Sequence, residues 1–194
     1  MIKTSPVLLV CLLLVPLAGC LTVAEKVYRF TLQTDTSGTA LIRFVDIGSE
    51  SEDTTDTSEE DFDHLVNFYL LGTQFEEQNP GFREVKKRLF VENGKLVGEI
   101  RFAFDNLQTV KLFRFDDASP YMYYVGTDFF AEELAETNGI YEREIMPVIF
   151  WPKGTVDFAL RTRVSSETPD RKSLLGHFKH WESVQNGIKQ NQEN

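Results

Sequence analysis

His177 and His180 stand three residues apart in the stretch LGHFKHW. On a helix that spacing lets two imidazoles reach one metal ion. A third ligand would have to come from Glu182 or from the acidic stretch 49–63. One interfacial and one exposed histidine is the simpler reading, so no metal is assigned. His64 follows Asp61 by three residues, a pairing common on helix surfaces. The stretch SESEDTTDTSEEDFD, 49–63, holds eight carboxylates and no base. Calcium favours clustered oxygens, but the glycine turn and terminal bidentate glutamate of an EF-hand loop are missing. The stretch reads instead as a solvated loop feeding a helix N-terminus, where acids suit the macrodipole. No nucleophile elbow, phosphate-binding loop or H-E-x-x-H pair is present. The expectation is a protein without catalytic residues, metal or cofactor. An acid pair brought together only by folding leaves no spacing to read, which keeps a hydrolase as a third reading.

Aromatic residues gather in two places. SPYMYYVGTDFF contributes Tyr121, Tyr123, Tyr124, Phe129 and Phe130, and VIFWPKG contributes Phe150 and Trp151. Tyrosine and tryptophan suit interfaces because each joins an apolar body to a polar tip. These seven residues are the candidate binding surface. A central strand covered on both sides is the simpler explanation, and the sequence cannot show whether Trp151 and Tyr121 are core or surface.

The elements that must position these groups follow from periodicity. Tyr28, Phe30 and Leu32 alternate with polar residues, then Asp35 to Gly38 turn the chain, then Ala40, Ile42 and Phe44 alternate again. Residues 27–47 are therefore a hairpin. Phe62, Leu65, Val66, Tyr69 and Leu70 form one helical stripe over 59–71, with Thr57 and Glu60 as a capping box and Gly72 as its stop. A second hairpin runs from Val85 to Phe104 around Asn93-Gly94, the favoured type I′ pair. Asp105 caps a short helix over 106–112 with Gln108 as its box partner. A strand over 121–125 and a helix over 128–137 come next. A third hairpin joins 145–151 to 155–164 through Pro152-Lys153-Gly154. A helix over 170–186 precedes a disordered polar tail, 187–194. Hairpins broken by helices predict an α+β fold, a single domain whose antiparallel sheet carries its helices on one face.

The chain is acidic, with a formal charge of −10. Phosphate backbones repel such a surface, so nucleic acid is not expected as a partner. The start is different in kind. Lys3 is followed by an uncharged run from Pro6 to Leu17, too short to span a bilayer and laid out like a secretory signal. Leu17-Ala18-Gly19-Cys20 closes it. This tetrad resembles the lipobox of bacterial lipoproteins.

The resemblance implies that 1–19 is a signal peptide and that Cys20 becomes the first mature residue, carrying acyl chains that anchor it to a membrane. The mature chain, 20–194, is then about 175 residues, enough for one core, with 20–26 a short tether and 27–186 the folded domain. Cys11 leaves with the signal, so no disulfide is expected. Residue 21 is leucine rather than an aspartate that resembles an inner-membrane retention signal, which in a Gram-negative cell points to the outer membrane, and Leu21 to Glu25 lack the acidic cluster that some surface lipoproteins carry after the cysteine, which points to the periplasmic face. The rhythm of hairpin and helix after a lipidated cysteine is similar in organisation to the LppM-type domain of mycobacterial lipoproteins, with no residue motif to carry a site across. The first functional expectation is a non-catalytic assembly module that engages another envelope protein through the aromatic segment. The second is a periplasmic carrier of an apolar or lipid ligand, with an apolar cavity between sheet and helices.

Overall fold

Alternation and turn chemistry place the first two strands where expected. In the computed structural model, which describes residues 20–50, 55–126, 132–164 and 171–192, β1 (Cys20–Leu32) and β2 (Gly38–Glu50) form a long antiparallel hairpin. Residues 20–26, expected as a tether, are therefore paired strand, with Cys20 opposite Glu50. The lipobox residues Leu17, Ala18 and Gly19 lie outside the described residues.

Helix α1 (Ser58–His64) follows, and its continuation departs from the α pattern. Residues Leu65–Leu70 form a π-helical turn, in which the Leu71 N–H donates to the Val66 carbonyl at 2.9 Å. The expected capping box is not formed. Thr57 precedes the helix, but its hydroxyl donates to the Asp61 carboxylate at 3.3 Å rather than capping a backbone N–H. Gly72 is not left-handed either. A Cβ there would lie 2.6 Å from the Asn67 carbonyl oxygen, so the position needs a glycine for lack of space.

After α2 (Gln74–Gln78) come β3 (Arg83–Glu92) and β4 (Lys95–Phe104), joined as expected by Asn93 and Gly94 with φ of 51° and 74°. The next element is a single 3-10 turn, Leu107–Val110, capped by the Asn106 side chain, which accepts from the Thr109 N–H at 3.0 Å. Asp105, expected as that cap, pairs with Arg83 instead. Strands β5 (Leu112–Phe113) and β6 (Tyr121–Tyr124) lead to β7 (Glu132–Thr137). The segment over β7 was expected to be helical, and its glutamates and alanine favour that locally. Pairing decides otherwise: β7 is an edge strand on β10, tied by Lys26 to Glu132 and by Arg161 to Glu136. Side chains that match across strands override propensity.

The remaining elements are β8 (Ile140–Glu142), β9 (Val148–Trp151), β10 (Asp157–Val164), β11 (Lys172–Ser173) and α3 (Leu175–Gln192). Strands β9 and β10 are not a hairpin. Among the described residues the strands make two antiparallel sheets. The larger runs β3-β4-β2-β1-β10-β7, with β11 on β2, and the smaller runs β5-β6-β9-β8. Residues 152–156 thus cross between sheets, anchored where the Leu32 N–H donates to the Val156 carbonyl at 2.9 Å. A turn motif reports a reversal of the chain, not which sheet the next strand joins. Helix α3 continues through Gln192, so most of the tail expected to be disordered is helical. None of the helices among the described residues is long and apolar enough to cross a membrane.

Two apolar clusters hold this single domain together. The larger packs Phe30, Ile42, Phe102, Phe104 and Phe158 of the large sheet against Leu112, Tyr123, Ile149 and Trp151 of the small one. The second joins Ile47 and Leu96 to Phe62, Val66, Leu174 and Phe178. Gly139 marks how tightly the small sheet is packed, since a Cβ there would fall 2.6 Å from Ile149 Cγ2 and 2.7 Å from Trp151 Nε1. Gly139→Ala is expected to destabilise the fold by about 1–3 kcal/mol through overpacking, read as a shift of the urea midpoint with an unchanged slope.

Candidate functional site

Successive residues of a strand face opposite ways, so Leu96, Gly98, Ile100, Phe102 and Phe104 of β4 share one face. Leu96 belongs to the second cluster and Ile100 to the first. Gly98 falls between them and brings no side chain. A partly open cavity of about 280 Å³ lies over it. Its strand walls include Leu21 and Val23 of β1, Phe44 and Ile47 of β2, and Leu89 of β3. Its helical walls are Leu65, Tyr69 and Leu70 of the π turn with Phe75 of α2.

The π turn matters to this geometry. Its extra residue per turn changes which side chains a helix presents, and such turns recur at functional sites. Here Leu65, Tyr69 and Leu70 line the cavity while Phe68 and Leu71 are turned out to solvent. The Tyr69 hydroxyl is fixed at the rim by weak hydrogen bonds from Gln74 and Gln78, both at 3.4 Å. Lys87 reaches from β3 to the Gly72 carbonyl and the Glu76 carboxylate, each at 2.7 Å, clamping the helical wall to the sheet. Lys26 is paired with Glu132, and Thr162 donates to the same carboxylate at 2.8 Å. The cations along the cavity are thus each paired, and the rest of its lining is mainly apolar. A concave, mainly apolar lining with a few polar groups is the usual make-up of a site for an apolar guest.

The aromatic segment divides between core and surface. Tyr121, Tyr123 and Trp151 are buried, at 3%, 7% and 1% exposure. Trp151 donates through Nε1 to Asn138 Oδ1 at 2.7 Å and meets Phe158 edge-on, so these three side chains sit in the core rather than on the surface where they were expected. Tyr124 and Phe150 sit on the opposite face of the small sheet, Tyr124 exposed and Phe150 half-buried. Along that face Phe113, Met122, Phe150 and Ile140 lie side by side across four strands. Phe129 and Phe130 lie outside the described residues.

The titratable groups singled out by spacing do not assemble a metal site. His177 accepts from or donates to Ser58 Oγ at 3.1 Å and stacks on Phe62, while His180 is exposed. Asp61 is buried against Ser49 and Thr57 and does not serve His64, whose ring lies against Phe68 and Tyr69. No group of three metal-ligating side chains occurs among the described residues. Ser58 and His177 resemble two members of a nucleophilic triad, but among the described residues no carboxylate is bonded to the imidazole, and neither residue lines the cavity.

Glu99 is a buried carboxylate with a perturbed pKa. Burial pushes the Glu99 carboxyl up, but hydrogen bonds from Arg88 and Arg101 outweigh it and hold the group below its ordinary value. A carboxyl depressed in the folded state stabilises the fold above the unfolded pKa of about 4.3 and loses that contribution as pH falls through the folded value. The wild type should therefore lose more stability between pH 7 and pH 3 than Glu99→Gln, which should be the weaker fold at pH 7. Parallel urea curves for the two proteins across that range would contradict this.

No protein-family model, curated protein or solved structure matches this chain.

Sequence reasoning passed over most of the cavity. Leu21 and Val23 fall in 20–26, the stretch whose sequence reads as a tether. Lys26 and Lys87 stood out in no pattern. Gly98 carried the one available signal, because a glycine inside an alternating strand marks a bulge or a place where something approaches closely.

Proposed function

We propose that this chain is a lipid-anchored protein of the bacterial cell envelope, held through acyl chains on Cys20, that shelters an apolar ligand of acyl type without transforming it. The cavity of about 280 Å³ over Gly98 carries this reading. It is near the lower end of ligand-pocket volumes and has the apolar lining and few polar rim groups typical of them. The helices cover one face of the large sheet in this reading, since Leu96, Gly98 and Ile100 share a face and the helical cluster begins at Leu96. The lipobox tetrad supports the anchor, the leucine after it supports the outer membrane, and the missing acidic cluster over Leu21 to Glu25 supports its periplasmic face. Ser58 and His177, lacking an orienting carboxylate among the described residues, support a carrier over a hydrolase. Native mass spectrometry of residues 20–194, with Cys20→Ser and secreted to the periplasm, tests the carrier. A reproducible apolar adduct lost on denaturation is the expected result. An apo mass, together with no uptake of an added fluorescent acyl probe, would end it.

A second reading, envelope assembly, is favoured by the row Phe113, Met122, Phe150 and Ile140, exposed at its two ends and half-buried between them, beside the exposed Tyr124. Exposed apolar patches of this sort mark interaction surfaces. Phe113→Asp with Ile140→Lys should abolish in-envelope crosslinks to a partner protein and leave the melting temperature unchanged.

A further inference from the structure

The same cavity lies beside the lipidation site, and its chemistry selects among apolar guests. Leu21, Thr22 and Val23, the three residues after Cys20, all line it. Cys20 is itself the first residue of β1, paired with Glu50, so its backbone is fixed relative to the cavity rather than hanging from a loose tether. Consecutive Cα atoms across a trans peptide are about 3.8 Å apart, which puts the acylated residue one step from the lining. The lining cations add a second observation. Lys26 is paired with Glu132, Lys87 with Glu76 and Arg88 with Glu99. A free fatty acid would bring a carboxylate and find these partners taken. A chain joined through an ester, amide or thioether brings no charge.

We propose that one of the acyl chains carried by Cys20 occupies this cavity in the same molecule. The inference rests on the lipidated-carrier reading above and names its resident ligand. Tethering through Leu21 gives the chain an effective concentration of roughly mM or more, and leaving the bilayer for the cavity exchanges one apolar medium for another. A chain held in the cavity is withdrawn from the membrane, while the other chains on Cys20 remain there. Any apolar guest taken up from outside competes with it, and the coupling is reciprocal: a guest in the cavity releases the chain to the membrane, and a chain drawn into the membrane opens the cavity.

The test is photo-crosslinking of the full chain, processed and acylated in a bacterial envelope, with Tyr69→p-benzoylphenylalanine in the cavity wall. The equivalent change at Leu70 is the second variant, should the first not fold. Mass spectrometry of the digested protein reads what is joined to the helical peptide. The expected product is the acylated Cys20 peptide of the same molecule, lost when Gly98→Leu is added. Crosslinks to phospholipid or free acyl chains alone would overturn the inference and leave the carrier standing. Unacylated Cys20 would overturn it too. No lipid crosslink from either position would remove both readings.

Discussion

Gly98→Leu is expected to lower the affinity for a fluorescent acyl probe by roughly tenfold or more, equivalent to about 1.4 kcal/mol or more, in a protein that still folds. Gly98 lies on the floor of the cavity with ordinary strand geometry. A Cβ there would sit 3.1 Å from Ile47 Cδ1 and 3.4 Å from Leu89 Cδ2, both the far ends of flexible side chains. The remaining atoms of a leucine would project into the volume a ligand must occupy. Glycine in a strand interior costs about 0.5–1 kcal/mol relative to alanine, so the melting temperature should be no lower than that of the wild type. Retained affinity in a folded Gly98→Leu protein would show that the cavity is not where apolar molecules bind.

Trp151→Ala should destabilise the domain by about 3–5 kcal/mol, the range for truncating a large buried aromatic. The side chain is 1% exposed, its ring packs edge-on to Phe158 at a centroid distance of 5.3 Å, and its Nε1 satisfies Asn138. Truncation removes the apolar contacts and leaves Asn138 Oδ1 with only the Ala159 N–H, at 2.9 Å. That is a large fraction of the 5–15 kcal/mol by which domains are stable. Tyr124→Ala, three strand positions away from Tyr121 but on the exposed face, should change stability by less than about 0.5 kcal/mol. Equal effects at the two positions, measured by urea unfolding, would contradict the division of this segment into a core face and an outer face.

That division could not be read from the sequence. Alternation says that Tyr121 and Tyr123 share a face and that Tyr124 has the other. It does not say which face meets the large sheet, because both are bulky and apolar. The same limit explains the split of β9 from β10. The expected turn at Pro152-Lys153-Gly154 is present, but pairing partners are chosen by packing across the whole sheet. Local signals succeeded where one residue type has one physical use. Asn93-Gly94 supplies two positive φ values in sequence, and β3 and β4 pair around it as expected. They failed over 132–137, where helix-favouring residues are held in a strand by Lys26 and Arg161 from distant parts of the chain.

Local patterns were enough for the first and second hairpins, the apolar stripe of the first helix, and an antiparallel α+β character. Each of these follows from periodicity or turn chemistry within some twenty residues. Tertiary structure alone decided that the strands divide between two sheets, that Tyr121, Tyr123 and Trp151 are core, and that a cavity opens over Gly98. A cavity is a missing contact between elements remote in sequence, β1 to β4 on one side and residues 65–78 on the other. Spacing along the chain records what each element presents to its neighbours. It does not record the places where those neighbours fail to meet.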